Sequence, residues 1–132
     1  MNIYIDENLP PQLAKGINIL EQPNGDGIKV LSIKETFGEG SLDEDWIPKI
    51  GKLRGIVITQ DFNIHRTRSQ NELYMKNNLG IFFFKPPSRK GFTYWEMVEH
   101  IIKRWTEIKK LSKKTRRPFA FRCSVKGRIQ KI

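Results

Sequence analysis

Acidic residues follow the ends of predicted secondary-structure elements and could bind a metal ion. Asp6 and Glu7 come directly after the apolar residues Ile3–Ile5, and Asp61 comes shortly after the apolar run 55–59. Three further acids open a predicted helix, namely Asp43, Glu44 and Asp45. Carboxylates that lie close together repel one another, and a bound divalent cation removes this repulsion. Oxygen ligands select Mg²⁺ or Mn²⁺, whose remaining positions accept phosphate oxygens, so the pattern indicates metal-assisted phosphodiester hydrolysis.

Predicted strands and helices alternate along the chain and would bring these acids together. Short apolar runs predict strands at 2–6, 28–33, 55–59 and 80–85, and amphipathic segments predict helices at 9–20, 42–53 and 93–111. The polar segment 61–78 is predicted as a loop that passes into a helix. This order is typical of an α/β protein with a mainly parallel four-stranded sheet and right-handed crossovers that place helices on both faces. Sites in such sheets form outside the carboxyl ends of the strands, so we expect the acids at one rim.

Structural roles compete with metal binding at several of these positions. Asp43 suits the N-cap of the helix that it opens, and Asp45 suits the helix dipole in the first turn. Spacing alone does not choose among Asp43, Glu44 and Asp45. Asn8 is a good N-cap for the first helix. Tyr94, Trp95 and Trp105 are predicted mostly as core residues of the last helix, and His100 as a structural residue of the same helix.

Basic residues are concentrated in the second half of the chain. The net charge is +10, with 6 Lys and Arg against 10 Asp and Glu in residues 1–65, and 18 against 4 in residues 66–132. This asymmetry favours a polyanionic partner over a merely soluble surface. The candidate nucleic-acid contacts are Asn8, His65, Arg66, Arg68, Lys113, Lys114, Arg116 and Arg117, of which the last four also suit the end of a helix.

The bulk composition suits one globular domain over residues 1–132. We predict a core over about 1–114 and a basic C-terminal extension over about 115–132, where Lys126-Gly127 would turn a β-hairpin. The apolar runs are too short to span a bilayer, and a signal peptide is not expected, so the default location is the cytoplasm. The single cysteine, Cys123, excludes a disulfide framework and is predicted to be buried.

The segments IDENLP, DEDWI and VITQD resemble the PIN-like family of small prokaryotic proteins related to toxin-type PIN ribonucleases. The resemblance covers Asn2 to about Phe84 and implies a Rossmann-like three-layer sheet and a ribonuclease of a toxin–antitoxin pair. It implies metal ligands at Asp6, in the Asp43–Asp45 cluster and at Asp61, and we take Asp6, Asp45 and Asp61 as the catalytic set. Asn63 is a further candidate ligand, and Glu7 either supports the metal or is simply solvated. Similar sequences often have an acid at the place of Asn63, and the lost charge would weaken Mg²⁺ or Mn²⁺ binding.

Two other functions remain open at the level of sequence. A PIN-like fold with a decayed metal site would bind RNA or an antitoxin protein without cleaving it. A phospho-accepting receiver-like domain would also place acids near Asp6, but it requires a fifth parallel strand with a lysine, which the basic, alternating tail does not predict. A homodimer is an alternative to a monomer.

Overall fold

The computed structural model describes residues 1–6, 8–60 and 64–132, and for residues 64–67 the helical backbone alone. Its strands are β1 (Asn2–Ile5), β2 (Lys29–Ser32), β3 (Ile56–Gln60), β4 (Gly80–Phe84), β5 (Phe119–Cys123) and β6 (Gln130–Lys131). Its helices are α1 (Pro11–Glu21), α2 (Ile33–Phe37), α3 (Asp43–Lys52), α4 (Ile64–Lys76) and α5 (Tyr94–Lys114), with a 3₁₀ turn at Gln22–Asn24. The helices that were predicted at the sequence level are present, and α2 is an addition to them.

The strands form one six-stranded sheet with the order β2-β1-β3-β4-β5-β6. The first five strands pair in parallel, and β6 pairs antiparallel with β5. The α/β class and the mainly parallel sheet are confirmed, whereas the expected count of four strands is wrong. The C-terminal segment is not an appendage, because β5 extends the parallel sheet and β6 forms the predicted hairpin with it. The expectation that the tail lacks a fifth parallel strand is also wrong.

Hydrophobic side chains of alternate strand residues fill two layers, one on each face of the sheet. On one face, Ile3 and Ile5 of β1 belong to a buried cluster with apolar residues of α1 and α5. On the other face, Tyr4 belongs to a cluster with residues of α3 and α4. This alternation gives the three-layer architecture, because successive side chains of a strand point to opposite faces. None of the helices in the described part of the chain combines the length and apolar character that crossing a bilayer requires.

The connection from β4 to β5 passes over the face opposite to the one expected. The β2–β3, β3–β4 and β4–β5 connections all move in the same direction across the sheet. The first two pass over the face of α3 and α4, but α5 packs on the face of α1. The last crossover therefore has the opposite hand to the two before it, and the expectation of uniformly right-handed crossovers is wrong here.

A buried polar cluster holds α5 against α1. The indole Nε1 of Trp105 donates a hydrogen bond to Oε1 of Glu21 at 2.5 Å. The same oxygen lies 2.8 Å from Nζ of Lys109. The hydrogen bond to Glu21 raises the pKa of Lys109 and outweighs the effect of burial. One carboxylate on α1 therefore binds two side chains on α5. These contacts stabilise α5 on the face of α1, rather than on the face of α3 and α4 where the earlier crossovers lie.

We expect Glu21→Ala to lower the free energy of unfolding by about 2 kcal/mol, because it leaves the buried indole N–H of Trp105 without its acceptor and Lys109 with the more distant Asp26, at 3.6 Å. Urea denaturation followed by circular dichroism measures the change. Glu35→Ala is the matched control, since it breaks the exposed Lys15–Glu35 ion pair of 3.0 Å, worth at most about 1 kcal/mol. Equal effects of the two substitutions would contradict the proposed role of Glu21.

Candidate metal site at the carboxyl edge of the sheet

Asp6 lies at the carboxyl end of β1 and is held by the neighbouring strand β3. Its side chain is buried, and its backbone N–H donates to the carbonyl of Ile58 at 3.0 Å, which extends the β1–β3 pairing by one residue. The hydroxyl of Thr59 donates to carboxylate Oδ2 of Asp6 at 2.5 Å. The carbonyl of Asp6 accepts a hydrogen bond from the backbone N–H of Leu9 at 3.0 Å. These bonds fix the position of the carboxylate at the rim of the sheet.

A cleft of about 390 Å³ opens beside Asp6. Its lining comes from the end of β1, from α2 and the loop after it, from the start of α3 and from the middle of α4. The lining residues are Asp6, Asn8, Lys34, Glu39, Gly40, Asp43 and Gln70. Asp6 and Asp43, from the end of a strand and the start of a helix, thus line the same cleft. Nζ of Lys34 lies 3.7 Å from Oε1 of Glu39. The cleft therefore also contains the ammonium group of Lys34, whose charge is partly neutralised by this ion pair.

Of the three consecutive acids of α3, Asp43 is the one that lines the cleft of Asp6. Asp43 also lines a neighbouring hollow, which it shares with Glu44 and with Glu72 and Lys76 of α4. Asp45 lines a third hollow with Trp46 and Lys49. Successive residues of an α-helix are about 100° apart around its axis, so one turn cannot direct all three side chains to one ion. The geometry favours Asp43, and it does not support the expected catalytic role of Asp45.

The predicted caps of both helices differ from those in the structure. The N-cap of α3 is Leu42, and Asp43 is the first helical residue. The N-cap of α1 is Pro10, followed by Pro11 in the first turn, and Asn8 instead lies exposed at the cleft. Leu42 and Pro10 provide no side-chain cap. Because Asp43 does not cap the helix, its carboxylate remains available to the cleft.

Several predicted site residues lie outside the described part of the chain. These are Glu7, Asp61 and Asn63, together with the side chains of His65 and Arg66. Asp61 is the residue after Gln60, which ends β3, and β3 lies next to β1. Arg68 is exposed on α4. The prediction that these residues take part in the site stays a prediction.

The donor atoms at the cleft suit a hard divalent cation. Asp6 and Asp43 offer carboxylate oxygens, and Asn8 and Gln70 offer amide oxygens, which are the ligand types that Mg²⁺ and Mn²⁺ prefer. Among the side chains that the structure describes, no group of three or more His, Cys, Asp and Glu is arranged to bind a metal ion. A further carboxylate ligand would have to come from Glu7 or Asp61.

The basic end of α5 lies at the opposite edge of the sheet from Asp6. α5 begins after the carboxyl end of β4 and ends before the amino end of β5, and a 21-residue helix spans about 30 Å. Lys113 approaches Asp26 at 3.6 Å in the loop before β2. Burial and then the charge of Arg54 lower the pKa of Arg117. The residues Lys113, Lys114, Arg116 and Arg117 therefore do not surround Asp6, and the prediction that they contact nucleic acid stays a prediction.

His100 and Cys123 are buried core residues, as the sequence predicts. His100 is buried between the rings of Phe84 and Phe92, with centroids at 5.1 and 5.5 Å, and burial lowers its pKa, which agrees with a structural role. Cys123 is buried as predicted, and burial raises the pKa of its thiol to about 12.

Sequence reasoning missed Lys34, Glu39 and Gln70 at the cleft, because α2 was not predicted and Gln70 carries no motif.

A protein-family model described as PIN like domain matches residues 1–86, which is more than half of the chain. The chain belongs to the PIN-like domain family. The match runs from β1 through the end of β4, so it contains the cleft and the acids around it. In this PIN-like chain, α5, β5 and β6 lie outside the matched region. No curated protein and no solved structure gives a significant match.

The PIN-like assignment also bears on the receiver-like alternative. The fifth parallel strand that such a domain requires is present, but β5 contains Arg122 and no lysine. β5 is followed by the antiparallel strand β6, and α5 crosses on the face of α1. The family match and these features favour a PIN-like domain over a phospho-accepting one.

Proposed function

We propose that this PIN-like domain is a metal-dependent endoribonuclease that hydrolyses RNA phosphodiesters, with Mg²⁺ or Mn²⁺ bound by Asp6, Asp43 and Asp61. The observation that carries the proposal is that Asp6 and Asp43, from separate elements, line one cleft at the carboxyl edge of a parallel sheet. Ligand sites of open α/β sheets form at this edge. The PIN-like match over residues 1–86 supports nuclease chemistry.

The residues of the cleft would have separate roles in binding the metal ion, positioning its ligands and binding phosphate. The carboxylates of Asp6 and Asp43 bind the cation, and Thr59 keeps Asp6 in position through its hydrogen bond of 2.5 Å. When bound, the ion neutralises phosphate charge and lowers the pKa of water. Lys34 attracts the phosphate backbone, and Asn8 and Gln70 can donate hydrogen bonds to it.

The amide at Asn63 suggests a weak metal site and leaves a second function open. An asparagine oxygen can still ligate a cation, but the loss of a charge lowers the affinity for the ion. A chain whose site has decayed would bind RNA or a protein without cleaving it. In the toxin–antitoxin setting that we propose, the protein partner would be an antitoxin. Acidic surface on that antitoxin would suit the net charge of +10.

Metal removal tests the proposal directly. We expect the purified chain to cleave end-labelled single-stranded RNA in Mn²⁺ or Mg²⁺, to lose this activity in excess EDTA, and to regain it when the metal is restored. Denaturing gels measure the products. Tight RNA binding that is indifferent to metal and gives no products would favour the binding module over the nuclease.

Asp43→Asn and Asp45→Asn form a matched pair that identifies the acid of α3. We expect Asp43→Asn to lower the rate of metal-dependent cleavage by about 100-fold, because it removes a ligand charge from the cleft of Asp6. We expect less than about twofold change for Asp45→Asn, because Asp45 lines a separate hollow. Single-turnover rates at saturating Mn²⁺ measure both effects. The reverse order would restore Asp45 to the catalytic set.

A further inference from the structure

Two aromatic side chains are exposed at the start of α5, outside the PIN-like match. Trp95 is 73% exposed and Tyr94 is 43% exposed, so the prediction that these two are core residues is wrong. Their ring centroids lie 5.2 Å apart and their planes are nearly perpendicular, at 88°. The other tryptophans, Trp46 and Trp105, are 3% and 9% exposed. Trp95 is therefore exceptional in this chain.

The fold does not need Trp95 at this position. Thr93 and Glu96 form a complete capping box, which already specifies where α5 begins. The buried stripe of α5 starts with Met97 and Ile101, which pack against the sheet. A tryptophan side chain has a large apolar area, so the folded state would be more stable if that area were buried. Large exposed apolar groups of this kind are typical of interaction sites.

The connector before α5 provides positive charge beside the aromatic pair. Lys85, Arg89 and Lys90 are exposed, and the sequence from Lys85 to Trp95 contains no acidic residue. Within the described part of the chain, none of these cations lies within 4.0 Å of a carboxylate. An aromatic surface next to unpaired cations complements a chain that has flat rings and regularly spaced negative charges.

The same edge of the sheet contains this surface and the acidic cleft. The backbone N–H of Lys85 donates to the carbonyl of Cys123 at 2.9 Å, which fixes the connector just beyond the carboxyl end of β4. β4 is separated from β1 by the single strand β3, so Lys85 and Asp6 leave the sheet roughly 10 Å apart across the strands. One flexible chain can therefore contact both.

We propose that Trp95, Tyr94, Lys85, Arg89 and Lys90 form a binding surface for single-stranded nucleic acid, which we call the aromatic–basic platform. Bases stack on Trp95, with Tyr94 beside it, and phosphates contact the three cations. The proposal specifies a single strand because the faces of paired bases are already stacked in a duplex. It deepens the proposed function, since a strand on the platform would lead to the cleft, but the binding itself requires no cleavage.

Fluorescence anisotropy with a labelled oligouridine in EDTA tests the platform without any metal-dependent reaction. We expect Trp95→Ala to weaken binding by about tenfold, the size of one lost stacking interaction, and Trp95→Phe to retain most of the affinity. Leu20→Ala is the control, because it removes an equally exposed apolar side chain from α1. We expect Arg89→Gln with Lys90→Gln to weaken binding and to reduce its salt dependence.

Intrinsic fluorescence gives a second readout, because Trp95 is the exposed tryptophan of the three. We expect the oligonucleotide to quench the wild type strongly and Trp95→Phe weakly. Unchanged affinity of Trp95→Ala would overturn the platform, as would equal losses for Trp95→Ala and Trp95→Phe. Equal binding of duplex RNA, or equally effective competition by polyglutamate, would also overturn it.

The platform and the nuclease proposal can fail separately. Trp95→Ala is expected to weaken oligouridine binding in EDTA by the same factor in the wild type and in the Asp6→Asn background, because Asp6 is not part of the platform. Loss of the platform proposal would leave metal-dependent cleavage by the wild type intact. Conversely, a chain that never cleaves RNA but loses affinity on Trp95→Ala would support the platform alone.

Discussion

Asp6→Asn is expected to lower the rate of metal-dependent RNA cleavage by at least about 100-fold, since it removes a ligand charge from the proposed metal site. The substitution keeps the size and shape of the side chain. It also keeps an oxygen that can accept the hydrogen bond from Thr59, which spans 2.5 Å in the wild type. We therefore expect the fold to persist and the cleavage rate to fall. Single-turnover cleavage at several Mn²⁺ concentrations measures the effect.

Two further measurements make the Asp6 result specific. Isothermal titration with Mn²⁺ should show weaker binding for Asp6→Asn, and thermal unfolding should show that the folded state is retained. Glu39→Gln provides a matched control, because Glu39 lines the same cleft but its carboxylate is paired with Lys34 at 3.7 Å. If Asp6→Asn cleaved RNA as fast as the wild type, the metal site proposed here would be wrong.

Gly80→Ala is expected to lower the free energy of unfolding by about 3 kcal/mol, the upper end of the range for overpacked cores. A Cβ atom at Gly80 would overlap the ring of Phe119 and lie 2.7 Å from Cδ1 of Ile56. Phe119 cannot move easily, because it packs against Phe82 and Phe121 with centroids at 5.7 and 5.4 Å. Urea denaturation monitored by circular dichroism measures the loss.

Gly16→Ala is the matched control for Gly80→Ala, and its expected effect has the opposite sign. Gly16 lies within α1, and an added Cβ would have no neighbour within 4 Å. Alanine is a better helix former than glycine, so this substitution should stabilise the chain by about 0.5–1 kcal/mol. If the ring of Phe119 is the obstacle, Phe119→Leu should cost less in the Gly80→Ala background than alone. A neutral Gly80→Ala would contradict the packing described for β4 and β5.

The position of the acidic site was predictable from the sequence, because it depends on a general property of parallel sheets. The carboxyl end of β1 and the start of α3 lie at one edge in any such layout, and Asp6 and Asp43 follow this rule. The choice within the acidic triplet was not predictable. It depends on where α3 begins, and Leu42, which precedes it, carries no capping group that could be recognised in the sequence.

The C-terminal third could be predicted only in part, because its placement depends on contacts that are distant in sequence. The alternating run around Phe119–Cys123 indicated a strand correctly. Its parallel pairing with β4 follows from α5, which is long enough to return to the amino edge of the sheet. The face on which α5 packs depends on the contacts of Glu21 with Trp105 and Lys109. The sequence around Glu21, Trp105 and Lys109 contains no pattern that predicts these pairs.

The exposure of Trp95 shows a further limit of helical periodicity. Met97, Ile101 and Ile108 are apolar residues at helical spacing, and they lie on the buried face of α5. Tyr94 and Trp95 precede these residues, and their apparent helical spacing with Trp105 predicts core positions that Tyr94 and Trp95 do not occupy. A helical projection from Met97 places Trp95 on the opposite side of the helix. The angular position of Trp95 around the helix axis therefore indicates that it does not share the buried face.

The hydrogen-bonded contact between α1 and α5 has a consequence for where the polypeptide can be divided. A fragment that ended at residue 86, where the family match ends, would leave Glu21 without Trp105 and Lys109. The backbone of β4 would lose its partner β5 and become an open, strongly apolar border, which is a template for aggregation. The stretch that defines the family by homology is thus smaller than the unit that folds, and the sequence beyond it completes the structure of the part before it.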